Sequence, residues 1–140
     1  LGDVYKRQAY YILIFDEAWE VMLEKIKMGA HSAKTEKKST MVVETHTQYI
    51  NEVNENDEVD ILLTFFDHDT KRLHLKLEMI EKKSKKLSAS MEWISLYIDL
   101  NIRKVTEFES NKIEIMNEFI DKNKINFNNN DLKFSSKLKK

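Results

Sequence analysis

The chain has 140 residues, room for one domain, and its 23 Lys+Arg against 24 Asp+Glu exclude a strongly basic nucleic-acid binder by composition. Hydrophobic residues at 41% and aromatics at 10% exclude a wholly disordered chain. The absence of cysteine removes thiolate nucleophiles, disulfides and thiolate zinc sites and fits a reducing cytoplasm, while no proline and two glycines exclude collagen, proline-rich linkers and a Gly-rich phosphate loop.

Leu1 to Gln8 (LGDVYKRQ) has neither the basic-then-apolar layout of a signal peptide nor a helical or strand period. It resembles translated sequencing-adapter read-through at the end of a gene fragment, so residues 1–8 are expected to be a non-native segment. Ala9 to Met28 is predicted helical, with Tyr11, Ile14, Phe15, Ala18, Met22 and Ile26 on one stripe and Gly29 as the stop signal. Tyr10 to Phe15 is apolar all round, which predicts that this half of the helix is enclosed by other elements. Its apolar run, Ala9 to Phe15, is far shorter than the ~20 residues a bilayer span needs. Ala30 to Ser39 is polar and lysine-rich, a loop.

Strand patterns follow. Met41 to Val53 is rich in threonine and β-branched residues, and Val59 to Phe66 is apolar on both faces, which predicts a strand covered on each side. Leu73, Leu75, Leu77 and Met79 alternate with polar residues. Leu87 to Asp99 places Ala89, Met91, Trp93 and Tyr97 on one face, with Ile94, Leu96 and Ile98 on the other. Short charged stretches at Asp67 to Lys71 and Glu81 to Lys86 read as hairpin turns. Phe108 to Ile120 is helical again. Charge is uneven: residues 1–8 carry a net +1 and residues 122–140 a net +5, which leaves −7 for residues 9–121. The basic Asn/Lys-rich tail, 122–140, is expected to be a frayed extension; an arm for RNA or a membrane surface is the sharper alternative. One long apolar helix, an antiparallel meander and a short helix predict an α+β domain over residues 9–121, its sheet curled around the long helix.

That order, with the strings AYYILIFDEAW (Ala9 to Trp19), VETHTQYINEV (Val43 to Val53) and DHDTKRLHLKLEM (Asp67 to Met79), resembles the hot-dog thioesterases of the 4-hydroxybenzoyl-CoA type. The last two strings are most similar to the betainyl-CoA thioesterases, which occur alone or fused behind carnitine dehydrogenases. The resemblance implies a hot-dog fold with its first strand missing, a homodimer or dimer of dimers, acyl-CoA bound at the subunit interface, and no cofactor. It implies no nucleic-acid or membrane partner. Such enzymes carry an acid-containing loop just before the helix tyrosine. Here that stretch holds the adapter-like residues, Asp3 is its only acid and its neighbours do not match, so the family's catalytic acid is expected to be absent.

Thioester hydrolysis needs a carboxylate to activate water and donors for the oxyanion. A helix starting at Tyr10 and Tyr11 would offer free backbone N–H groups there. Glu17 is the reserve carboxylate beside Asp16, with a solvent-facing or intersubunit charge as its simpler reading. His46 and His74 could donate to the thioester oxygen or orient a carboxylate, or be satisfied strand histidines. Lys71, Arg72 and Arg103, the last with Lys104 beside it, could hold CoA phosphates, or lie in solvated turns. A betainyl group has a quaternary ammonium best held against aromatic faces, and Tyr11, Trp19, Tyr49, Trp93 and Tyr97 are available, each also readable as core. Of these, Tyr49, His74 and Trp93 are the candidates for substrate binding. The histidines have no i, i+4 pairing, so no metal is expected. Three functions stand: a thioesterase for a short polar acyl-CoA such as betainyl-CoA, a non-catalytic dimerisation or ligand-binding domain, and the C-terminal part of a dehydrogenase fusion.

Overall fold

The stripe at helical spacing decides where the core sits. In the computed structural model, which describes residues 2–54, 56–124 and 132–140, with side chains from Tyr10 onward in the first helix, α1 runs Gly2–Lys25. Tyr11, Phe15, Trp19, Met22 and Ile26 are all buried along one face of α1. The helix starts at Gly2 rather than Ala9: after Gly2 the stretch holds no glycine or proline, so it extends a helix nucleated by the packed stripe downstream. Its end is set at Lys27, not Gly29. Lys27 takes the left-handed conformation at φ 58°, Lys27 N–H donates to the Glu24 carbonyl, and Met28 N–H donates to the Leu23 carbonyl at 2.9 Å. This is a Schellman closure, and buried Leu23 and Met28 supply its apolar contact. A Cβ at Gly29 would meet only the Glu24 carboxylate, the end of an exposed flexible side chain that can swing aside, so neither space nor backbone angle demands glycine there.

The expected loop after α1 holds a short helix, α2 (Ala30–Thr35). The Lys27 carbonyl before it accepts from the Ser32 hydroxyl at 2.5 Å and from the buried Lys112 ammonium, which also meets Glu36 at 3.1 Å. Strands β1 (Lys38–Tyr49), β2 (Val59–His68), β3 (Arg72–Glu81), β4 (Leu87–Asp99) and β5 (Lys104–Val105) follow, then α3 (Ser110–Asn123). All pairings are antiparallel, in the order β1-β4-β3-β2, with β5 on the end of β4. The inner face carries Leu73, Leu75, Leu77 and Met79 of β3 with Ala89, Met91, Trp93 and Tyr97 of β4. All join one core with the α1 stripe and with Met116 and Ile120 of α3. Full burial of each large apolar side chain contributes about 1.5–3 kcal/mol. The antiparallel sheet packed around a long helix is the α+β arrangement expected.

Two expectations about burial need correction. Tyr10, Ile12 and Leu13 are 49%, 41% and 55% exposed, because the sheet covers only one side of α1. Strand β2 is not covered on both faces: it is an edge strand, and only Thr64, Phe65 and Phe66 along it are buried. The tail also departs from a frayed extension, since residues 132–140 lie against the outer face of the sheet, whereas 125–131 fall outside the described residues. Among the described residues no helix is long and apolar enough to cross a membrane.

Three elements are tied together at the start of β1. Lys38 donates to Glu109 just before α3, and the Tyr97 hydroxyl of β4 donates to the same carboxylate at 2.8 Å. Burial pushes the Glu109 carboxyl up, but the Lys38 and Tyr97 donors outweigh it and hold it below its ordinary value of 4.5. Burial, then the bond to Glu109, pushes the Tyr97 phenol up, so it stays a donor. A depressed carboxylate stabilises the fold fully above its ordinary value, and the contribution is lost as pH falls through the depressed one. Urea midpoints measured from neutral pH into acid should therefore drop less steeply in Glu109→Gln than in the parent chain. Equal slopes would remove Glu109 from this account.

Candidate active site

The aromatic candidates on the inner face form two separate pairs. Where β1 ends, the Tyr11 and Tyr49 rings lie 5.6 Å apart and tilted by 31°, and the Tyr11 hydroxyl accepts from the Val53 N–H at 2.9 Å. Tyr11 is buried, but Tyr49 is 42% exposed and presents its ring at the rim; burial, then the charge of Tyr11, pushes its phenol up. Deeper in, Trp19 and Trp93 meet edge-on at 5.2 Å, and Trp93 is enclosed in the core. Its Nε1 has no hydrogen-bond partner among the described residues. Tyr97 stacks on Phe108 at 4.8 Å and is bound to Glu109, so it belongs to the fold rather than to an open pocket.

The histidine candidates sit across the sheet from these rings. Thr45 opposes Trp93, and the next pair, His46 and Glu92, therefore points to the outer face. There the His74 Nε2 meets Glu92 Oε2 at 2.7 Å, with both side chains buried. The backbone N–H groups of Lys133 and Phe134 donate to the same carboxylate at 2.7 and 2.9 Å. The Nε2 of His46 is buried without a partner among the described residues. His46 and His74 thus share a face with each other but not with Tyr11, Tyr49 or Trp93.

The cationic candidates occupy the far end of the strands. In the β2–β3 turn, the buried Asp69 accepts from the N–H groups of Lys71 and Arg72 at 2.8 and 2.7 Å and pairs with the Arg72 guanidinium at 3.1 Å. A fourth donor is the Lys139 N–H at 2.9 Å. Burial pushes the Asp69 carboxyl up, yet these bonds outweigh it and hold it below the ordinary range. Arg72 is thereby engaged within the turn. Arg103 lies in the exposed turn between β4 and β5, in the left-handed conformation at φ 56°. From Ala89, opposite Tyr49, to Leu96, opposite Arg72, strand β4 advances about 23 Å. Within one chain the tyrosine pair and the phosphate candidates are at opposite ends of the sheet.

Glu17 is exposed on the side of α1 that faces away from the sheet. Burial pushes the neighbouring Asp16 carboxyl up. Because α1 begins at Gly2, the Tyr10 and Tyr11 amides lie inside the helix and are engaged in its ladder, which corrects the expectation of free donors at those positions. Among the described residues no group of three or more His, Cys, Asp or Glu side chains could hold a metal ion. The sequence reading missed Asp69 and Glu92. An Asp ahead of a tight turn is a recognisable signal for the first, whereas the second has no local signal and emerges only from strand register.

Residues 3–123 match the family described as the thioesterase-like superfamily. The betainyl-CoA thioesterase of Pseudomonas aeruginosa is 26% identical over 103 residues, which cover 74% of this chain and 65% of that relative. The chain thus spans just under two thirds of the length of the curated relative it matches. A Staphylococcus aureus protein solved in complex with CoA superposes with a TM-score of 0.76 at 23% identity, covering 82% of this chain and 72% of that one. The DHNA-CoA thioesterase of Staphylococcus aureus gives 0.72 at 12% identity, covering 86% and 82%. At these identities the two structures carry the fold.

Proposed function

This chain belongs to the thioesterase-like superfamily, and from that premise we propose that it hydrolyses a short polar acyl-CoA, betainyl-CoA foremost. The observation that carries the reading is the similarity to the betainyl-CoA thioesterase over 103 residues. The site geometry supports it at one point. The exposed Tyr49 ring, backed by Tyr11, offers a π face to a quaternary ammonium that cannot donate hydrogen bonds. In the reaction, water adds to the thioester carbonyl, the C–S bond breaks, and the CoA thiol leaves with the proton that the base took from water. Glu17 is the proposed base, one of the exposed carboxylates of α1 together with Asp16 and Glu20.

The site is proposed to be shared between two copies. Strand β1 is a long edge with Met41, Val42 and Val43 exposed. Two such edges paired antiparallel about a twofold axis would lay the Tyr11–Tyr49 end of one chain beside the Lys71–Arg103 end of its partner. That arrangement brings acyl and phosphate recognition together, which one chain alone does not. A homodimer is therefore part of the proposal.

The test is steady-state hydrolysis of betainyl-CoA and acetyl-CoA by the chain and by Tyr49→Ala. A cation–π contact is worth about 0.5–2 kcal/mol, so KM for betainyl-CoA should rise about 2- to 30-fold in the variant while that for acetyl-CoA holds. An equal rise for both substrates would sink the aromatic cage. No hydrolysis of any short acyl-CoA would favour the second reading, a dimerising or ligand-binding module without chemistry. One observation already points that way: the engaged Tyr10 and Tyr11 amides leave no free donor there for an oxyanion.

A further inference from the structure

We propose that the C-terminal segment Leu132–Lys140 is a salt-releasable strap that closes the outer face of the sheet over the His74–Glu92 pair. The sequence of the segment, LKFSSKLKK, has four lysines and no acid. Among the described residues, each hydrogen bond and ion pair it makes to the sheet ends on a carboxylate. Glu92 takes the N–H groups of Lys133 and Phe134, one on each oxygen, and Asp69 takes the N–H of Lys139. Lys137 lies 3.6 Å from Glu44, and Lys140 donates to Asp67 at 2.6 Å. The contacts reach from Glu44 on β1 through Glu92 on β4 to the β2–β3 turn, so the strap crosses the sheet rather than adding a strand to it.

Leu132, Phe134 and Leu138 are half-buried and no residue of 132–140 is fully so, which leaves charge and main-chain hydrogen bonding a large share of what holds the strap. Its side-chain ion pairs are open to water: Lys137 and Glu44 are 50% and 45% exposed, Lys140 and Asp67 59% and 43%. Such pairs are screened as the Debye length shrinks from about 10 Å at 0.1 M salt to about 3 Å at 1 M. A segment held by apolar burial would not respond in this way. Beneath the strap, His74 and Glu92 are almost fully enclosed. On release, Glu92 would lose both amide donors and the imidazole–carboxylate pair would meet solvent. The uncovered face would then present Glu44, Asp67, Asp69 and Glu92, the chemistry that selects a basic, extended segment, which the chain supplies from its own end. The inference stands apart from the thioesterase reading, since it uses neither Glu17 nor the tyrosine pair.

Limited trypsin digestion of the full chain, read by mass spectrometry, tests it. The exposed lysines of the β3–β4 turn, Lys82 to Lys86, serve as the internal reference for protease activity. In low salt, cleavage after Lys133 and Lys137 should run at least about tenfold slower than in that turn, and it should approach parity in 1 M NaCl. The surface double variant Glu44→Gln, Asp67→Asn should reach parity already in low salt. Parity in low salt for the unaltered chain would mean that the strap does not dock. Protection that persists both in 1 M NaCl and in the double variant would make the segment a fixed part of the fold. Either result overturns the proposal. Diethylpyrocarbonate labelling gives the second readout: His74 should be shielded in low salt and labelled in high salt, with exposed His31 labelled throughout. A His74 that labels equally in both would refute the closure.

Discussion

Trp93→Ala is expected to lower the unfolding free energy by about 3–5 kcal/mol, the range for truncating a fully buried large aromatic. The indole lies on the central strand β4, between Thr45 of β1 and Leu75 of β3, and edge-on to Trp19 at 5.2 Å. Removing it leaves a cavity between sheet and α1 and deletes an aromatic pair worth about 0.5–1.5 kcal/mol beyond its area. Trp93→Phe should cost much less. The Nε1 has no partner among the described residues, so the smaller ring forfeits packing but no hydrogen bond. Urea unfolding followed by far-UV circular dichroism measures both variants. A cost below about 1 kcal/mol for the alanine would place the indole at an open binding surface instead of the core.

Glu92→Ala should be comparably damaging, at about 3–5 kcal/mol, for a different reason. Its carboxylate answers His74 and two strap amides, so truncation strands three polar groups, one of them a fully buried imidazole. The cost reflects what is left unpaired more than the worth of the pair. Replacing both residues by leucine should therefore recover part of the loss, because the buried imidazole is no longer orphaned and only the two strap amides stay without their acceptor. A double-mutant cycle in urea reads this as a strong non-additivity. Simple additivity of Glu92→Leu and His74→Leu would show that the two side chains do not depend on each other.

Much of the fold was legible because two periods survive in the sequence. The spacing of Tyr11, Phe15, Met22 and Ile26 marks the buried face of α1, and the alternation of Leu73, Leu75, Leu77 and Met79 marks the inner face of β3. Less could be read where position in the sheet decides burial. Val59 to Phe66 is apolar throughout, but an edge strand covers only part of itself, and the sequence does not say which strand lies at the edge. Faces are also hard to read across irregularities. The register shifts between Val42 and Glu44 and between Phe65 and Asp67, and each shift breaks the count of two that assigns side chains to a face. His46 and Tyr49 are a different case: both lie past the shift on a regular stretch of β1, three residues apart, so strict alternation already sets them on opposite faces, and only the string they share groups them in one site. The docked tail is marked in the sequence only by its lysines, two of which pair with Glu44 and Asp67, whereas its grip on Glu92 and Asp69 is made by backbone amides that no side chain announces.

The strand order also dictates how the chain must assemble. Strands β2, β3 and β4 are joined by tight turns, so their registers close over short loops and little chain entropy is lost. Strand β1 instead pairs with β4 by bringing Tyr49 to Ala89 and Lys38 to Asp99, with the whole β2–β3 hairpin lying between. Closing that interval is unfavourable until the meander exists as a template, which makes β1 the late-joining strand and slows collapse relative to a purely local topology. Strand β1 thus completes the sheet while its own outer edge stays unpaired among the described residues, so the late step of folding leaves uncovered the ribbon that the proposed dimer would use.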